Sequence, residues 1–114
     1  SIYLSYKSVL DKVDGLSIAG VPQYSINNHW MVLIQINKER CGYDANKLMQ
    51  KLLKIGIQTR PAWSLMHLQK PYLKCESYHI EKAIHLAASS LCLPSSTNLG
   101  NSDLEYVMEA LLNV

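Results

Sequence analysis

Residues 29–36 read HWMVLIQI, an apolar run that contains β-branched side chains and no glycine or proline. Because apolar side chains occupy both faces of the run, we expect a strand that is covered on both sides. A second run at residues 91–93, ended by Pro94, is typical of a buried strand. Shorter strands are predicted at Leu16–Ile18 and at residues 57–59. These segments form the predicted sheet around which the rest of the chain is arranged.

Apolar side chains recur at helical spacing on either side of these strands, in residues 2–13, 44–54 and 77–88 and in a last helix near the end of the chain. Asp44 is expected to cap the second helix, and Gly15 and Gly56 to end the first and the second. Ser102 and Glu105 have the spacing of a capping box. The residues predicted to face the core are apolar and lie on one side of each helix: Ile2, Tyr6, Val9, Leu10, Val13, Ala45, Leu48, Met49, Leu52, Leu53, Ile80, Ala83, Ile84, Ala87, Leu104, Val107, Met108, Leu111 and Leu112.

The order of the predicted elements is helix, strand, strand, helix, strand, loop, helix, strand, helix. Three or four short strands with helices on one face predict an α+β two-layer sandwich with a small, mostly antiparallel sheet. A length of 114 residues and a hydrophobic fraction of 48% favour one globular domain over residues 1–114.

Charge and cysteine content exclude several classes of function. The net charge is +2 and no block of like charge occurs, so neither nucleic acid nor an anionic membrane surface is an expected partner. No apolar run approaches the ~20 residues that span a bilayer. Three widely spaced cysteines without a CxxC pair indicate reduced thiols in a cytoplasmic protein.

No self-contained catalytic or metal-binding motif is present. The four histidines form no HxxxH or HExxH pattern, and there is neither a GxSxG motif nor a glycine-rich loop. Cys92 lies in an apolar strand, where a cysteine is usually a small core residue. We therefore predict no catalytic, cofactor-binding or metal-binding residue in this chain.

Residues 59–69, TRPAWSLMHLQ, hold the most versatile recognition side chains. Arg60 precedes Pro61, which favours an extended backbone from which a guanidinium can reach a carboxylate or phosphate. Trp63 offers an amphipathic ring, and His67 can donate, accept or titrate. The alternative is that Trp63 and its apolar neighbours fill the core while Arg60 and His67 lie at its rim.

Four runs resemble the C-terminal domain of pyridoxal 5'-phosphate-dependent sugar aminotransferases of the DegT/DnrJ/StrS family: NNHWMVLIQI (27–36), GIQTRPAWSLMHLQKPY (56–72), LCLPSS (91–96) and LGNSDLEYVMEAL (99–111). The TRPAW–LMH stretch is most similar to the branch that acts on UDP-linked 4-keto-6-deoxy amino sugars. The resemblance covers essentially the whole chain, and its central motif is the specific part.

This resemblance implies the small domain of the aspartate-aminotransferase-type fold. Whole enzymes of this kind are homodimers that transfer an amino group from L-glutamate to the C4 ketone of a nucleotide sugar. Pyridoxal 5'-phosphate would be bound by a large domain that is missing here, because no lysine of this chain has the context of the family's cofactor lysine. The fragment is therefore predicted to be inactive alone. Residues 1–14 would be the end of an inter-domain helix. The face that meets the large domain in the whole enzyme would be exposed and apolar.

The resemblance also implies roles for four residues. Arg60 would meet an anion, either the glutamate carboxylate or the diphosphate of the sugar nucleotide. Trp63 would pack on the sugar or shape the cleft, and His67 would hydrogen-bond substrate or orient the loop. Asn28 is a weaker substrate-binding candidate, with a role in the turn as its alternative. Two other functions stay open: a stand-alone small-molecule-binding module and a protein–protein interaction module.

Overall fold

A computed structural model describes residues 1–114. The elements follow in the order α1 (Ile2–Leu10), β1 (Leu16–Ile18), β2 (Val32–Ile36), α2 (Lys38–Cys41), α3 (Ala45–Lys54), β3 (Arg60–Pro61), α4 (Glu81–Ala88), β4 (Ser90–Leu93) and α5 (Asn101–Leu112). Two single 3₁₀ turns, Met66–Leu68 and Lys70–Tyr72, lie between β3 and α4. No helix has the length and apolarity that crossing a membrane requires.

The four strands form one antiparallel sheet in the order β1-β2-β4-β3. The central pair joins Val32 to Leu93 and Gln35 to Ser90. At the far edge, Arg60 lies opposite Cys92. Proline lacks the N–H that a central strand would need, so Pro61 is tolerated because β3 is an edge strand. The predicted α+β class with an antiparallel sheet is confirmed.

Alternation along the strands separates two faces of the sheet. The inner face presents Val32, Ile34 and Ile36 of β2 to the buried side chains of α1, α3 and α5. Burying one such side chain stabilises the fold by about 1.5–3 kcal/mol. The buried cluster consists of Tyr6, Leu10, Leu16, Val32, Ile34, Ile36, Tyr43, Leu48, Leu52, Ile57, Leu91, Leu93, Leu104, Val107 and Leu111. The opposite side, called the outer face below, carries Leu33 and Cys92, which lie opposite each other.

One hydrogen bond from a core side chain ties the helical layer to the end of the sheet. The Tyr6 hydroxyl of α1 donates to the carbonyl oxygen of Pro94, directly after β4, over 2.9 Å. Burial raises the pKa of Tyr6 to about 12. The hydroxyl therefore stays protonated as a donor at neutral pH.

The helix ends agree with the sequence in part. Asp44 caps α3, because its carboxylate accepts a hydrogen bond from the Lys47 N–H over 2.9 Å. Gly56, just after α3, has a φ of 82°, a conformation that favours glycine. However, α1 ends at Leu10 rather than near residue 13. The capping-box prediction is also wrong, since α5 begins after Gly100 and has no side-chain cap.

Three strand and turn predictions need correction. β2 begins at Val32, three residues later than expected, and the third strand is Arg60–Pro61 rather than residues 57–59. The segment NKERCGYD (37–44) after β2, which its polar side chains and glycine predict to be a turn, contains the short helix α2. The Asn37 side chain caps it by accepting hydrogen bonds from the N–H groups of the second and third residues of the helix.

The largest difference concerns α4, which begins at Glu81 and contains no buried residue. Ala83 and Ile84, expected in the core, are exposed, and Ile80 and Ala87 are only half-buried. The core predictions for Leu53 of α3 and Leu112 of α5 are also wrong, because both side chains are exposed. Helical periodicity identifies an apolar stripe, but it does not say whether this chain supplies the surface that covers it.

Candidate functional site

An open groove of about 830 Å³ lies beside the outer face, between the residues that precede β2, the β3 edge and the segment after β4. Its volume is in the range of small-molecule sites. The lining includes two aromatic rings, one cation, hydroxyl groups and a buried thiol, contributed by Trp30, Trp63, Arg60, Ser64, Ser95 and Cys92. This groove brings part of the predicted recognition stretch together with residues 30–31 and residues 92–96.

Arg60 is the charged residue of the groove. Residues opposite each other in a ladder point to the same side, so the pairing with Cys92 places Arg60 on the outer face. The two ion pairs of the chain, Lys7 with Asp11 and Arg40 with Asp14, do not involve it. No acidic side chain lines the groove. The Arg60 guanidinium is thus available to an external anion.

Trp63 does not fill the core. Its side chain is 71% exposed, and its ring meets the ring of Trp30, itself 66% exposed, in an edge-to-face contact with centroids 6.3 Å apart. Met66 is exposed as well. The alternative in which this stretch plugs the interior therefore does not describe the structure.

Asn28 and His67 lie outside the groove lining. The Asn28 side-chain oxygen accepts a hydrogen bond from the Trp30 N–H over 3.0 Å, which is a turn contact. His67 is half-buried on the 3₁₀ turn Met66–Leu68. The structure thus brings together Arg60 and Trp63, two of the four predicted site residues, and connects Asn28 to the groove through Trp30.

Trp30 is the aromatic lining residue that sequence reasoning missed, and the serine residues of the lining were not predicted either. Trp30 was included in the predicted strand 29–36, but the chain turns at His29, whose φ is +52°. Consecutive asparagines at residues 27 and 28 carried the signal, because asparagine side chains accept backbone hydrogen bonds in turns. Here the side-chain oxygen of Asn27 accepts a hydrogen bond from the His29 N–H, and that of Asn28 accepts one from the Trp30 N–H.

Cys92 lies in the groove lining, but its environment does not activate the thiol as a nucleophile. It is buried in β4, and burial raises the pKa of its thiol. Since the thiolate is the reactive form, a raised pKa makes the group less reactive at neutral pH. Cys92 is buried as predicted, but it lies on the outer face at the floor of the groove rather than in the buried cluster.

The groove does not fit pyridoxal 5'-phosphate as a complete binding site. An imine with the cofactor requires an amine, and its ring nitrogen requires an acidic partner, yet neither a lysine nor a carboxylate lines the groove. A second groove of about 610 Å³ is lined by Lys38, Glu39 and Asp44, but Asp44 already caps α3, and Lys38 and Glu39 are exposed. No group of three or more potential metal ligands comes together either.

Comparison with known proteins gives matches over the whole chain. The profile described as the DegT/DnrJ/EryC1/StrS aminotransferase family matches residues 1–112. EpsN of Bacillus subtilis (strain 168), described provisionally as a pyridoxal phosphate-dependent aminotransferase, is 27% identical over 120 residues, which cover 100% of this chain and 30% of EpsN. The chain thus spans less than a third of the length of this relative.

Solved structures give the same picture. DesI, crystallised in the presence of its TDP-sugar product, superposes with a TM-score of 0.84 and 26% identity over 98% of this chain and 29% of DesI. The aminotransferase TlmJ from Streptoalloteichus hindustanus superposes with a TM-score of 0.81 and 22% identity over 98% of this chain and 29% of TlmJ. The likeness to TlmJ concerns the fold.

Proposed function

The chain belongs to the DegT/DnrJ/EryC1/StrS aminotransferase family, and from this premise we propose that it is the C-terminal small domain of a longer pyridoxal 5'-phosphate-dependent sugar aminotransferase. The proposal rests on one observation about length. The family profile matches residues 1–112, yet the whole chain covers under a third of EpsN and of DesI. Residues 1–14 would then be the end of an inter-domain helix.

The proposed reaction moves an amino group from L-glutamate to the C4 ketone of a nucleotide-linked 4-keto-6-deoxy sugar. The TDP-sugar in the DesI structure supports a nucleotide sugar as the substrate class. Arg60 would bind an anion of the substrate, and Trp63 would pack on the sugar or shape the cleft. His67 would orient the loop or bond substrate, and Asn28 would complete the site.

The cofactor would be held by chain outside these 114 residues. Pyridoxal 5'-phosphate supplies the electron sink for amino transfer when bound. The absence of an amine and an acid from the Arg60 groove supports a division in which this domain contributes substrate contacts only. By itself the chain would then form no imine with the cofactor, and added cofactor should show no imine absorbance.

A homodimer in the cytoplasm is the proposed form of the whole enzyme. The three cysteines of this chain form no disulfide, which fits a reducing compartment. Large apolar side chains between β3 and α4, apart from those of the groove, are exposed and would be covered by the rest of the enzyme: Met66, Leu68, Tyr72, Leu73 and Tyr78. An exposed set of this kind marks a surface that contacts another protein part.

The test measures amination of a nucleotide-linked 4-keto sugar by the full-length enzyme that contains this chain. Arg60→Ala and His67→Asn should each lower kcat/KM by about tenfold or more while the fold is kept, since charge-assisted contacts contribute about 1.5–3 kcal/mol. Arg40→Ala is the matched control, because Arg40 is the other arginine and pairs with Asp14 away from the groove. Wild-type kinetics in both Arg60→Ala and His67→Asn would refute the site assignment.

A reading frame that starts directly before Ser1 would favour a stand-alone module instead. In that case the groove would serve as a small-molecule site without amino transfer. The absence of any aminotransferase activity from the longer protein would likewise refute the proposal.

A further inference from the structure

The second groove, of about 610 Å³, lies at the opposite end of β2 from the Arg60 groove. Its walls are the outer face of β1 and β2, the helix α2 with the start of α3, and the end of α4. The Ile36 N–H of β2 donates to the Ser89 carbonyl, directly after α4, over 2.7 Å, so two of these walls are joined. The volume is in the range of small-molecule sites, and no residue with a role in the proposed function lines this groove.

A row of polar side chains crosses three strands at this groove. Ser17 of β1 lies opposite Gln35 of β2, and Gln35 lies opposite Ser90 of β4. Because Gln35 is two residues after Leu33, the row is on the outer face of the sheet. Ser17 and Gln35 line the groove, and the Ser90 hydroxyl beside them is buried without a hydrogen-bond partner. Such a row favours a ligand that brings its own hydrogen-bond donors and acceptors.

The Gln35 amide is the half-buried polar group of the lining that stays free. Other lining side chains are already engaged, since Asn37 caps α2, Asp44 caps α3 through one carboxylate oxygen, and the Ser89 hydroxyl donates to the His85 carbonyl. The Gln35 side chain forms no such bond within the chain and is only half-buried. It therefore offers two N–H donors and an acceptor oxygen to a ligand.

Both signs of charge line the groove. Glu39 and Asp44 carry carboxylates, and Lys38 carries an ammonium group that takes part in neither ion pair of the chain. An anion or a cation in the groove would meet a like charge as well as an opposite one. A zwitterion of matching size places each of its charges beside the opposite one, which selects this class of ligand.

We propose that the second groove binds a free α-amino acid whose side chain is polar and uncharged. The ammonium group of the ligand meets the carboxylates of Glu39 and Asp44, and its carboxylate meets the Lys38 ammonium group. Its side chain meets the Gln35 amide, which can donate to and accept from a second amide at the same time. The inference goes beyond the proposed function and does not depend on amino transfer.

The test titrates the isotope-labelled 114-residue chain with L-asparagine and follows amide signals by nuclear magnetic resonance. We expect saturable shifts of the Gln35 side-chain amide and of backbone amides in residues 35–39 and 85–89. Roughly millimolar affinity is expected, because exposed charge pairs contribute little each. The indole N–H signals of Trp30 and Trp63 report on the Arg60 groove and should not move.

A series of ligands tests the recognition of each charge. N-acetyl-L-asparagine lacks the ammonium group, and L-asparaginamide lacks the carboxylate. Each should bind about two- to fivefold more weakly than L-asparagine, the range for one exposed charge pair. L-aspartate has the same shape as L-asparagine but adds a negative charge beside an uncharged amide, so it should bind more weakly as well.

Variants of the lining test the named contacts. Gln35→Met removes the amide at similar size and should weaken binding of L-asparagine roughly 2- to 12-fold. Asp44→Asn keeps the α3 cap, because asparagine caps as well as aspartate, but removes the charge and should weaken binding about two- to fivefold. Lys82→Met is the control at an exposed lysine of α4 that lines neither groove, and it should bind as the wild type does.

Three results would overturn the inference in a chain with an intact circular dichroism spectrum. One is the absence of a saturable Gln35 shift up to the solubility limit of L-asparagine. Another is equal binding of L-asparagine and its two derivatives, which would mean that the charges are not recognised. The third is a shift of the indole signals without a shift at Gln35, which would place the ligand in the Arg60 groove. A failure of the proposed reaction is observed separately, in the assay of the longer enzyme.

Discussion

The two sides of this domain differ in what the chain provides for them. The packed half, made of the inner face with α1, α3 and α5, places fifteen residues in one buried cluster. The open segment, residues 60–89, contains no buried residue at all. Both regions have apolar side chains at regular spacing, so the difference lies in whether a covering surface exists within the chain. The packed half is self-sufficient, and the open segment is not.

A pair of matched substitutions tests this contrast directly. Ile34→Ala, at a position with 0% exposure in the central strand, should lower the free energy of unfolding by about 2–5 kcal/mol because a cavity is left. Ile84→Ala, at 45% exposure on α4, should change it by less than about 0.5 kcal/mol. Urea denaturation followed by circular dichroism measures both. Similar losses for the two variants would contradict the division into a packed half and an open segment.

Two glycines sharpen the boundary of the packed half. Gly15 and Gly56 have φ values of 80° and 82°, so both bear the same backbone strain on substitution. A Cβ at Gly15 would lie 2.7 Å from the Cβ and N atoms of Cys41, whereas nothing lies within 4 Å at Gly56. Gly15→Ala should therefore cost about 1–3 kcal/mol more than Gly56→Ala in thermal or urea unfolding. Equal losses of unfolding free energy in the two variants would show that Cys41 moves away from the new methyl group without a cost in stability.

The bond between α1 and the end of the sheet gives a smaller effect with a pH signature. Tyr6→Phe should lower stability by about 0.5–1.5 kcal/mol at neutral pH through loss of the bond to Pro94. Burial raises the pKa of Tyr6 from 10.0 to about 12, so between these pH values the folded state keeps a proton that the unfolded state has lost. This stabilisation is complete below pH 10 and is lost as the pH rises towards 12.

The wild type should therefore lose stability more steeply than Tyr6→Phe over that interval, and unfolding at several alkaline pH values measures the difference. Parallel curves for the two proteins would mean that the Tyr6 hydroxyl is not shielded from water in solution.

The smallest expected effect concerns a buried hydroxyl directly before β3, outside the buried cluster. The Thr59 hydroxyl is buried without a hydrogen-bond partner. Thr59→Val removes this unsatisfied group at nearly constant shape and should raise the free energy of unfolding by about 1 kcal/mol. Thr97→Val is the control at the other, exposed threonine and should stay within about 0.5 kcal/mol of the wild type. A loss of stability in Thr59→Val would show that the hydroxyl has a partner, for example a water molecule.

Sequence patterns predicted the packed half well because its partners are all present. The runs that became β1, β2 and β4 were recognised from apolar character, and the Asp44 cap from its place before an amphipathic helix. The inward faces of α1, α3 and α5 followed from helical spacing, apart from Val9, Leu53 and Leu112. Local chemistry and tertiary packing agree in these segments, so local rules suffice.

The open segment was predicted poorly because its environment cannot be seen in local spacing. The pattern in α4 indicated an apolar face, and the structure shows that face without a cover. At the groove, the sequence pointed to Arg60 and Trp63 through their residue types, and it missed Trp30 because an apolar run was extended through the turn at His29. Which side chains meet across the groove depends on the strand register, which brings residues from three distant parts of the chain together.

The order of the strands in the sheet also limits the order in which the strands can pair during folding. The middle of the sheet joins residues 32–35 to residues 90–93, so a long intervening loop must close before β2 gains its central neighbour. Closing such a loop costs entropy in advance of the contacts that repay it, and domains dominated by such distant pairings fold slowly. A growing polypeptide that has not yet reached residue 90 would hold β1 and β2 as a two-stranded ribbon, which is marginally stable in water. The edge of β2 that pairs with β4 would remain unpaired for that interval, and an unpaired strand edge is prone to misassembly during synthesis.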